Sequence, residues 1–252
     1  MNDDRFIEEI VTKFLLSTCR LRPQLTEQAV LGLVLCVDIT RKVDDEEDHF
    51  IPLTSGSVAE FYIEPMLPHI GDVDTMHHRS SELAIPRGQS PPTQLPAEFH
   101  NYVMVSEIID SHLPGFVYLP LRYLLTECDD DDKYNAVEYD EEMYAVIRRD
   151  IPAGHVSHGP AVMTTGPEWS LDKVPCMRCL SWPAQAADWP TRHRQYGWPD
   201  SATVDRVVNN GCDVVPVAHR QCRQHEWMSE RQCRLSFSRA EIVLLNSWTP
   251  VQ

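Results

Sequence analysis

Two aspartates two positions apart, shortly after a glycine–serine turn, constrain this chain more than any other feature of its sequence. The turn is Ser55-Gly56-Ser57, and the aspartates are Asp72 and Asp74. Because alternate side chains of a strand point to the same face, a strand here would bring both carboxylates together. Adjacent carboxylates repel each other, and a divalent cation between them relieves that repulsion. The pattern therefore predicts a cation site on a strand, with a solvated surface pair as the ordinary alternative.

The glycine–serine turn before the aspartates predicts a phosphate site. Gly56 lets the backbone approach a ligand closely, and the N–H groups of such a turn together with the Ser57 hydroxyl attract an anion. No Walker lysine follows the turn, so a P-loop is excluded. A phosphate-holding turn beside a cation-binding pair is the minimal equipment for nucleotide transfer.

A two-metal transferase needs a third carboxylate, which a neighbouring strand usually supplies. Asp110 and Asp172 each end or line an apolar segment. Either could equally be an acid that merely ends a strand. The local pattern alone does not choose between them.

Charge and hydropathy narrow the class of protein. The chain has 252 residues and a formal net charge of −16, which argues against a general nucleic-acid coat. No apolar run approaches the ~20 residues of a membrane span, and the amino terminus is acidic where a signal peptide would be basic. We therefore expect an intracellular, cytoplasmic protein with no membrane association. The acidic stretch 128–142 is predicted to be an exposed insertion.

Eight cysteines show no framework spacing, so free thiols are expected in a chain without a secretion signal. The sequence contains enough candidate ligands for a tetrahedral zinc site, because a Cys-x-x-Cys pair lies upstream of a loose cluster of histidines and cysteines. The spacing is poor, and buried free thiols are favoured over zinc. The candidate zinc ligands are Cys176, Cys179, His219, Cys222, His225 and Cys233.

Hydrophobic periodicity predicts an amphipathic helix over 5–20 and a second helical segment over 25–39, followed mainly by short strands. Three Trp-Pro dipeptides between residues 182 and 199 predict an irregular layer clamped by buried tryptophans. The predicted strands are 50–54, 102–105, 107–110, 115–119, 159–164 and 169–175. The segments 214–217 and 233–238 follow without an assignment, and a final helix is predicted over 239–245.

Several short groups of residues occur in an order that resembles the male-abnormal-twenty-one-like (Mab) family of nucleotidyltransferase-fold proteins, relatives of cyclic GMP-AMP synthase. The resemblance covers about residues 50–252. The groups are Gly56-Ser57-Val58-Ala59-Glu60, Gly71-Asp72-Val73-Asp74-Thr75-Met76, Gly159-Pro160-Ala161, Asp172-Lys173-Val174-Pro175, Trp182-Pro183 with Trp189, Arg192, Arg194 and Gly197-Trp198-Pro199, and Arg234-Leu235-Ser236-Phe237-Ser238-Arg239-Ala240-Glu241.

The resemblance implies an α+β fold, in which a nucleotidyltransferase lobe holds a twisted mixed sheet flanked by helices and a helical lobe follows. On this expectation residues 1–49 are a helical lead-in and residues 50–238 the nucleotidyltransferase domain. Residues 239–252 would begin a C-terminal helical lobe that is truncated here.

The resemblance also implies roles for individual residues. It selects Asp172 over Asp110 as the third acid. Lys173 should then point to the opposite face of its strand. In the family's roles, Gly56 and Ser57 hold the triphosphate, Asp72, Asp74 and Asp172 are catalytic and bind Mg²⁺ or Mn²⁺, and Arg234 and Ser236 contact the nucleotide.

Two functions follow from the resemblance. The first is a cGAS-like receptor of innate immunity, which joins nucleoside triphosphates such as ATP and GTP into a cyclic dinucleotide or oligonucleotide after binding an unidentified nucleic-acid activator. The second is a catalytically inactive scaffold or binding protein. The synthase's zinc insertion has no counterpart after the segment 234–238, so zinc is not expected as a cofactor. The oligomeric state is left open.

Overall fold

A mixed β-sheet with two α-helices packed beside it makes up most of what the computed structural model describes, an α+β architecture as the sequence predicts. The structure describes residues 19–20, 50–55, 62–63, 72–128, 131–139, 143–147, 156–165, 170–194, 197–222 and 230–247. The strands are β1 (Cys19–Arg20), β2 (Phe50–Ser55), β3 (Tyr62–Ile63), β4 (Asp72–Pro86), β5 (Tyr102–Asp110), β6 (Phe116–Tyr118), β7 (Leu121–Cys128), β8 (Asp131–Glu138), β9 (Val156–His158), β10 (Ala161–Thr165), β11 (Ser170–Cys179), β12 (Cys212–Val215) and β13 (Cys233–Ser236), and the α-helices are α1 (Ser201–Asn210) and α2 (Ser238–Asn246).

The long strand β4 organises the sheet. Its first half pairs with β2 antiparallel and with β11 parallel, and its last residues pair with β5 parallel. From β11 the pairing continues through β12, β13 and β6 back to β5. Because β5 also pairs with β4, these six strands form a closed ring. Strands β7 and β8 extend the sheet beyond β5, and β9 and β10 extend it beyond β11.

Each strand of the ring contributes to one buried apolar cluster. The alternation of side chains along β4 sends Ala84 into this cluster and its neighbour Leu83 into a second one, which lies between β4, β5, β7 and β8. Full burial of a large aliphatic side chain such as that of Leu83 contributes about 1.5–3 kcal/mol. The ring residues in the first cluster are Ala84, Ile108, Val117, Met177, Cys179, Cys212, Val214 and Cys233.

Helix α1 was not predicted, although the sequence contains its signals. The Asp200 side chain caps it by accepting a hydrogen bond of 2.7 Å from the Thr203 N–H. Val204 and Val207 are buried three positions apart, and Gly211 ends the helix with φ +65°. The predicted irregular tryptophan layer precedes it as turns and a 3₁₀ helix (Ala184–Ala186), with Trp182 and Trp189 half-buried instead of buried.

The acidic stretch 128–142 is exposed at most of its described positions, as predicted, but its strand was not predicted. Its residues 131–138 form β8, which pairs with β7 in an antiparallel hairpin. Tyr134 explains the difference, because it is buried at 8% exposure and packs against the cluster that contains Val103 and Leu125. One large side chain at an inward position anchors a strand in which four of the eight residues are charged.

The strand predictions are otherwise confirmed to within a few residues, and 102–105 with 107–110 form the single strand β5. Gly159 and Pro160 are an exception, since they form the turn between β9 and β10. The predicted helix 5–20 cannot extend to its end, because Cys19 and Arg20 pair with β3. Residues 5–18 and 25–39 lie outside the described residues. Helix α2 confirms the final helical prediction.

Candidate nucleotide and metal site

Asp74 and Asp172 are opposite each other on neighbouring parallel strands. The pairing of β4 with β11 runs in register from Asp72 with Ser170 to His78 with Cys176, and Asp74 is the partner of Asp172. Residues opposite each other on paired strands point to the same face, and neighbouring strands lie about 4.8 Å apart. Both aspartates are half-buried. The sheet thus brings two acidic side chains from distant parts of the chain to one place.

Strand β2 leads the predicted phosphate turn toward the same place. Its last residue, Ser55, pairs with Asp74 on the other side of β4. Asp72 begins β4, but its side chain lies outside the described residues, as do Gly56 and Ser57. The residue before Gly56 is therefore beside Asp74, and Asp172 lies on the other side of β4.

Asp110, the other candidate for a third acid, lies elsewhere. It ends β5, is exposed, and accepts a hydrogen bond of 2.9 Å from Gln185 Nε2. Strand β5 pairs with the segment of β4 from Glu82 to Pro86, at the opposite end from Asp74. The structure brings Asp172, and not Asp110, beside Asp74.

Ser236 reaches this face from β13. Its Oγ lies 3.9 Å from Sδ of Met76, which is two positions after Asp74 on β4. In a flat sheet β4 and β13 would be about 14 Å apart, because two strands separate them. The contact shows that the sheet curves around this face. Arg234 lies two positions before Ser236 and is exposed.

A buried ion pair joins α2 to the same face of the sheet. Arg239 Nε donates a hydrogen bond of 2.8 Å to Oδ2 of Asp213, whose side chain is 0% exposed. Burial raises the pKa of Asp213, and the charges of Arg239 and Arg178 oppose that rise. Sequence reasoning missed this pair. An acid inside the apolar run of β12 was the signal that could have found it.

Arg178 is a second positive charge near the carboxylate of Asp213. Its Nη1 donates hydrogen bonds of 2.7 and 2.8 Å to the carbonyls of Cys179 and Cys212, and its Nη2 donates to the Asn210 carbonyl in the last turn of α1. A cation at a helix carboxyl end is favoured by the helix dipole. The guanidinium therefore joins β11, β12 and α1.

Two histidines on β4 are held neutral. Burial, together with the charge of Lys173, lowers the pKa of His77 to about 4. Burial, together with the charges of Arg239 and Arg178, lowers the pKa of His78 to about 4. His77 Nε2 is 2.9 Å from Thr75 Oγ1, which donates to the Asp172 carbonyl at 3.5 Å. These contacts tie β4 to β11 at the level of the aspartates.

The register also orients Lys173 and the cysteines. Lys173 pairs with Thr75, so it lies on the face opposite Asp172, as predicted. Cys176 and Cys179 lie in different apolar clusters and so cannot converge on one ion. Within the described residues, all cysteines are free thiols and no group of three histidine, cysteine or acidic side chains could hold a metal.

Comparison with known families gives one match. The family model for the Mab-21 protein nucleotidyltransferase domain matches residues 122–247, which is half of the 252 residues. The matched region includes Asp172, Arg234 and Ser236. No curated protein matches the chain. None of the helices in the described residues is long and apolar enough to cross a membrane. This chain belongs to the Mab-21 family of proteins with a nucleotidyltransferase domain.

Proposed function

We propose that this chain is a nucleotidyltransferase that binds nucleoside triphosphates on the face of β4 and β11 where Asp74 and Asp172 lie. The observation that carries the proposal is the register of the two aspartates on adjacent parallel strands. Two carboxylates so placed repel each other unless a cation or a proton intervenes. The family match supports nucleotide substrates.

The donor set fits a hard divalent cation. Carboxylate oxygens are the ligands that Mg²⁺ and Mn²⁺ prefer, and half-buried side chains can still reach solvent and phosphate. Asp72, Asp74 and Asp172 would hold the metal. When bound, such an ion neutralises phosphate charge and makes a hydroxyl group a better nucleophile.

The remaining residues would position the substrate. Gly56 and Ser57, one and two residues after β2, would hold the triphosphate through N–H groups and a hydroxyl. The curvature that brings Ser236 to Met76 supports a contact between β13 and the same nucleotide. Arg234 is exposed and would supply positive charge beside it. A product of the cyclic dinucleotide or oligonucleotide class, and activation by a nucleic acid as in a cGAS-like receptor, belong to this proposal.

The test is incubation of the full chain with ATP, GTP and Mg²⁺ or Mn²⁺, with and without a panel of DNA and RNA, and product analysis by mass spectrometry. We expect product from wild type and from Asp110→Asn, which alters a carboxylate outside the site. Asp74→Asn and Asp172→Asn should each reduce the rate by at least 100-fold. Equal product from these variants, or none from wild type under any condition, would favour the inactive scaffold.

A further inference from the structure

Large apolar side chains are exposed in one region of the molecule. Among the described residues, those with substantial exposure are Tyr102 and Met104 on β5, Val137 on β8, and Tyr139 and Met143 just after β8. Val137 is 61% exposed and Met104 is 40% exposed, in contrast to the buried aliphatic residues of the two apolar clusters. Isolated apolar residues on a surface need no explanation, but a contiguous group marks an interaction surface.

The strand register makes this group contiguous. Met104 pairs with Leu124 of β7, and Leu124 pairs with Val137 of β8, so the three form a row across the sheet. The Tyr139 N–H donates a hydrogen bond of 2.7 Å to the Arg122 carbonyl, which continues the pairing and puts Tyr139 on the same face as Val137. We call Met104, Leu124, Val137 and Tyr139 the outer row.

The opposite face of the same strands is packed in the interior of the protein. Val103, Leu125 and Tyr134, each next in sequence to a position on the outer face, are buried in the second apolar cluster. In the described part of the chain, β8 pairs with β7 and with no strand on its other side. Near Tyr134 this edge is covered, because the Tyr134 N–H donates a hydrogen bond of 2.8 Å to the Thr93 carbonyl. From Ala136 onward no segment in the described part of the chain pairs with it, and an open edge of this kind presents backbone N–H and C=O groups to which another strand can pair.

The net charge around β8 indicates which kind of partner can bind there. Residues 127–142 contain nine acidic side chains and one lysine, a net charge of −8, which is half of the formal −16 of the whole chain. The acids lie at both ends of β8 in sequence, at 127–132 and 138–142. Two copies paired antiparallel along this edge would place acid against acid, which is unfavourable. A nucleic acid is disfavoured for the same reason.

We propose that β8 and the outer row bind a basic, extended segment of a partner protein, in which apolar residues alternate with lysine or arginine. The segment adds a strand to the edge of β8. Its apolar side chains lengthen the outer row beyond Val137, and its basic side chains offset the net charge of −8 of residues 127–142. This surface is separate from the face of Asp74 and Asp172, so its test does not depend on nucleotide transfer.

The test measures binding of a fluorescein-labelled ten-residue peptide of alternating lysine and valine to the full chain, by fluorescence anisotropy at low salt. We expect wild type to bind, and the double variant Met104→Ser/Val137→Ser to bind at least tenfold more weakly. Ala136→Ser is the matched control, because Ala136 is exposed on β8 but faces the other way, and it should bind as wild type does. Unchanged thermal unfolding midpoints would show that all the variants fold.

Three further measurements bear on the partner's chemistry. A lysine–glycine peptide of equal charge should bind at least tenfold more weakly, as should a backbone N-methylated lysine–valine peptide, which cannot pair with an edge strand. Equal binding of either peptide, or of the double variant, would overturn the proposal. Dimerisation in sedimentation experiments that Met104→Ser/Val137→Ser abolishes would assign the surface to a second copy and would also overturn it.

Discussion

Arg239 Nε lies 2.8 Å from Oδ2 of Asp213, and this ion pair joins the first turn of α2 to β12. The two side chains are 14% and 0% exposed, so both charges have lost most of their water. Within the described residues, Asp213 Oδ1 has no hydrogen-bond partner. The carboxylate therefore depends on Arg239 for its main compensation.

Replacing Arg239 by glutamine should destabilise the fold strongly, because it leaves a buried carboxylate without its partner. We expect a loss of about 3–5 kcal/mol in the free energy of unfolding, measured by urea denaturation. The matched control is Arg192→Gln, since the Arg192–Asp188 pair is exposed at 63% and 72% and should lose at most about 1 kcal/mol. Equal losses in the two variants would contradict the assigned role of the buried pair.

Gly211 should not tolerate a side chain. Its φ is +65° and its ψ is −144°, a region that is almost exclusive to glycine. A Cβ there would lie 2.2 Å from the Cys179 carbonyl oxygen, which is held in β11. We expect Gly211→Ala to lose roughly 3 kcal/mol or more in thermal or urea unfolding.

Gly88→Ala separates the two causes of that loss. Gly88 also has a positive φ, +74°, but a Cβ there would meet nothing within 4 Å. This variant should lose only the backbone term of about 1–2 kcal/mol. If Gly211→Ala and Gly88→Ala cost the same, the contact with the Cys179 carbonyl is not the cause.

Stability should fall in mild acid because of His77 and His78. The pKa of each is lowered from 6.5 to about 4 in the folded chain, so the unfolded chain takes up more protons between these values. Each neutral histidine therefore makes its full contribution to stability above pH 6.5. As the pH falls toward 4, the free energy of unfolding decreases by about 3 kcal/mol per histidine. Urea unfolding across this range measures the loss.

Variants isolate the histidine contribution from that of the carboxylates. His77→Gln removes one titrating group, so its free energy of unfolding should fall less steeply between pH 6.5 and 4 than that of wild type. His193→Gln alters an exposed histidine and should keep the wild-type slope. A His77→Gln slope equal to that of wild type would refute the prediction.

Removing Asp172 should uncouple stability from Mg²⁺. A ligand that binds the folded state raises the free energy of unfolding, by about 2.7 kcal/mol at a concentration 100 times its Kd. We expect wild type and Asp110→Asn to gain in this way, and Asp172→Asn to gain at least 1.4 kcal/mol less, a tenfold loss of affinity. Without metal, Asp172→Asn should be no less stable than wild type, because one of two repelling charges is gone.

Much of the sheet could be predicted from sequence because its strands alternate or are uniformly apolar. Strand β7 and the part of β4 after Asp74 were not predicted, and two further failures were local. Tyr134 outweighs the charged residues around it, and α1 is short enough that its capping residues Asp200 and Gly211 carried more information than its apolar content. Register was not predictable, because it depends on pairs that are distant in sequence.

The candidate site, like the sheet, could be predicted from sequence only in part. The pattern of Asp72 and Asp74 indicated a strand, and the resemblance selected Asp172. The side-by-side position of Asp74 and Asp172 is a property of the parallel pairing alone. The pair of Asp213 and Arg239 was not predicted because an acid inside the apolar run of β12 indicates a buried carboxylate but does not identify its partner on another element.

The closed ring also fixes an order of events during synthesis. Thr75 hydrogen-bonds to a residue 97 positions later, in a strand that the ribosome has not yet made when β4 emerges. At about 5–20 residues per second, β4 waits roughly 5–20 seconds for β11. Until then the ring is open and Asp74 stands apart from Asp172. Pairing of β4 with β11 assembles the acidic pair, and the ring closes only later, when β12 and β13 have also been made. A lesion that delays β11 therefore delays both the site and the fold.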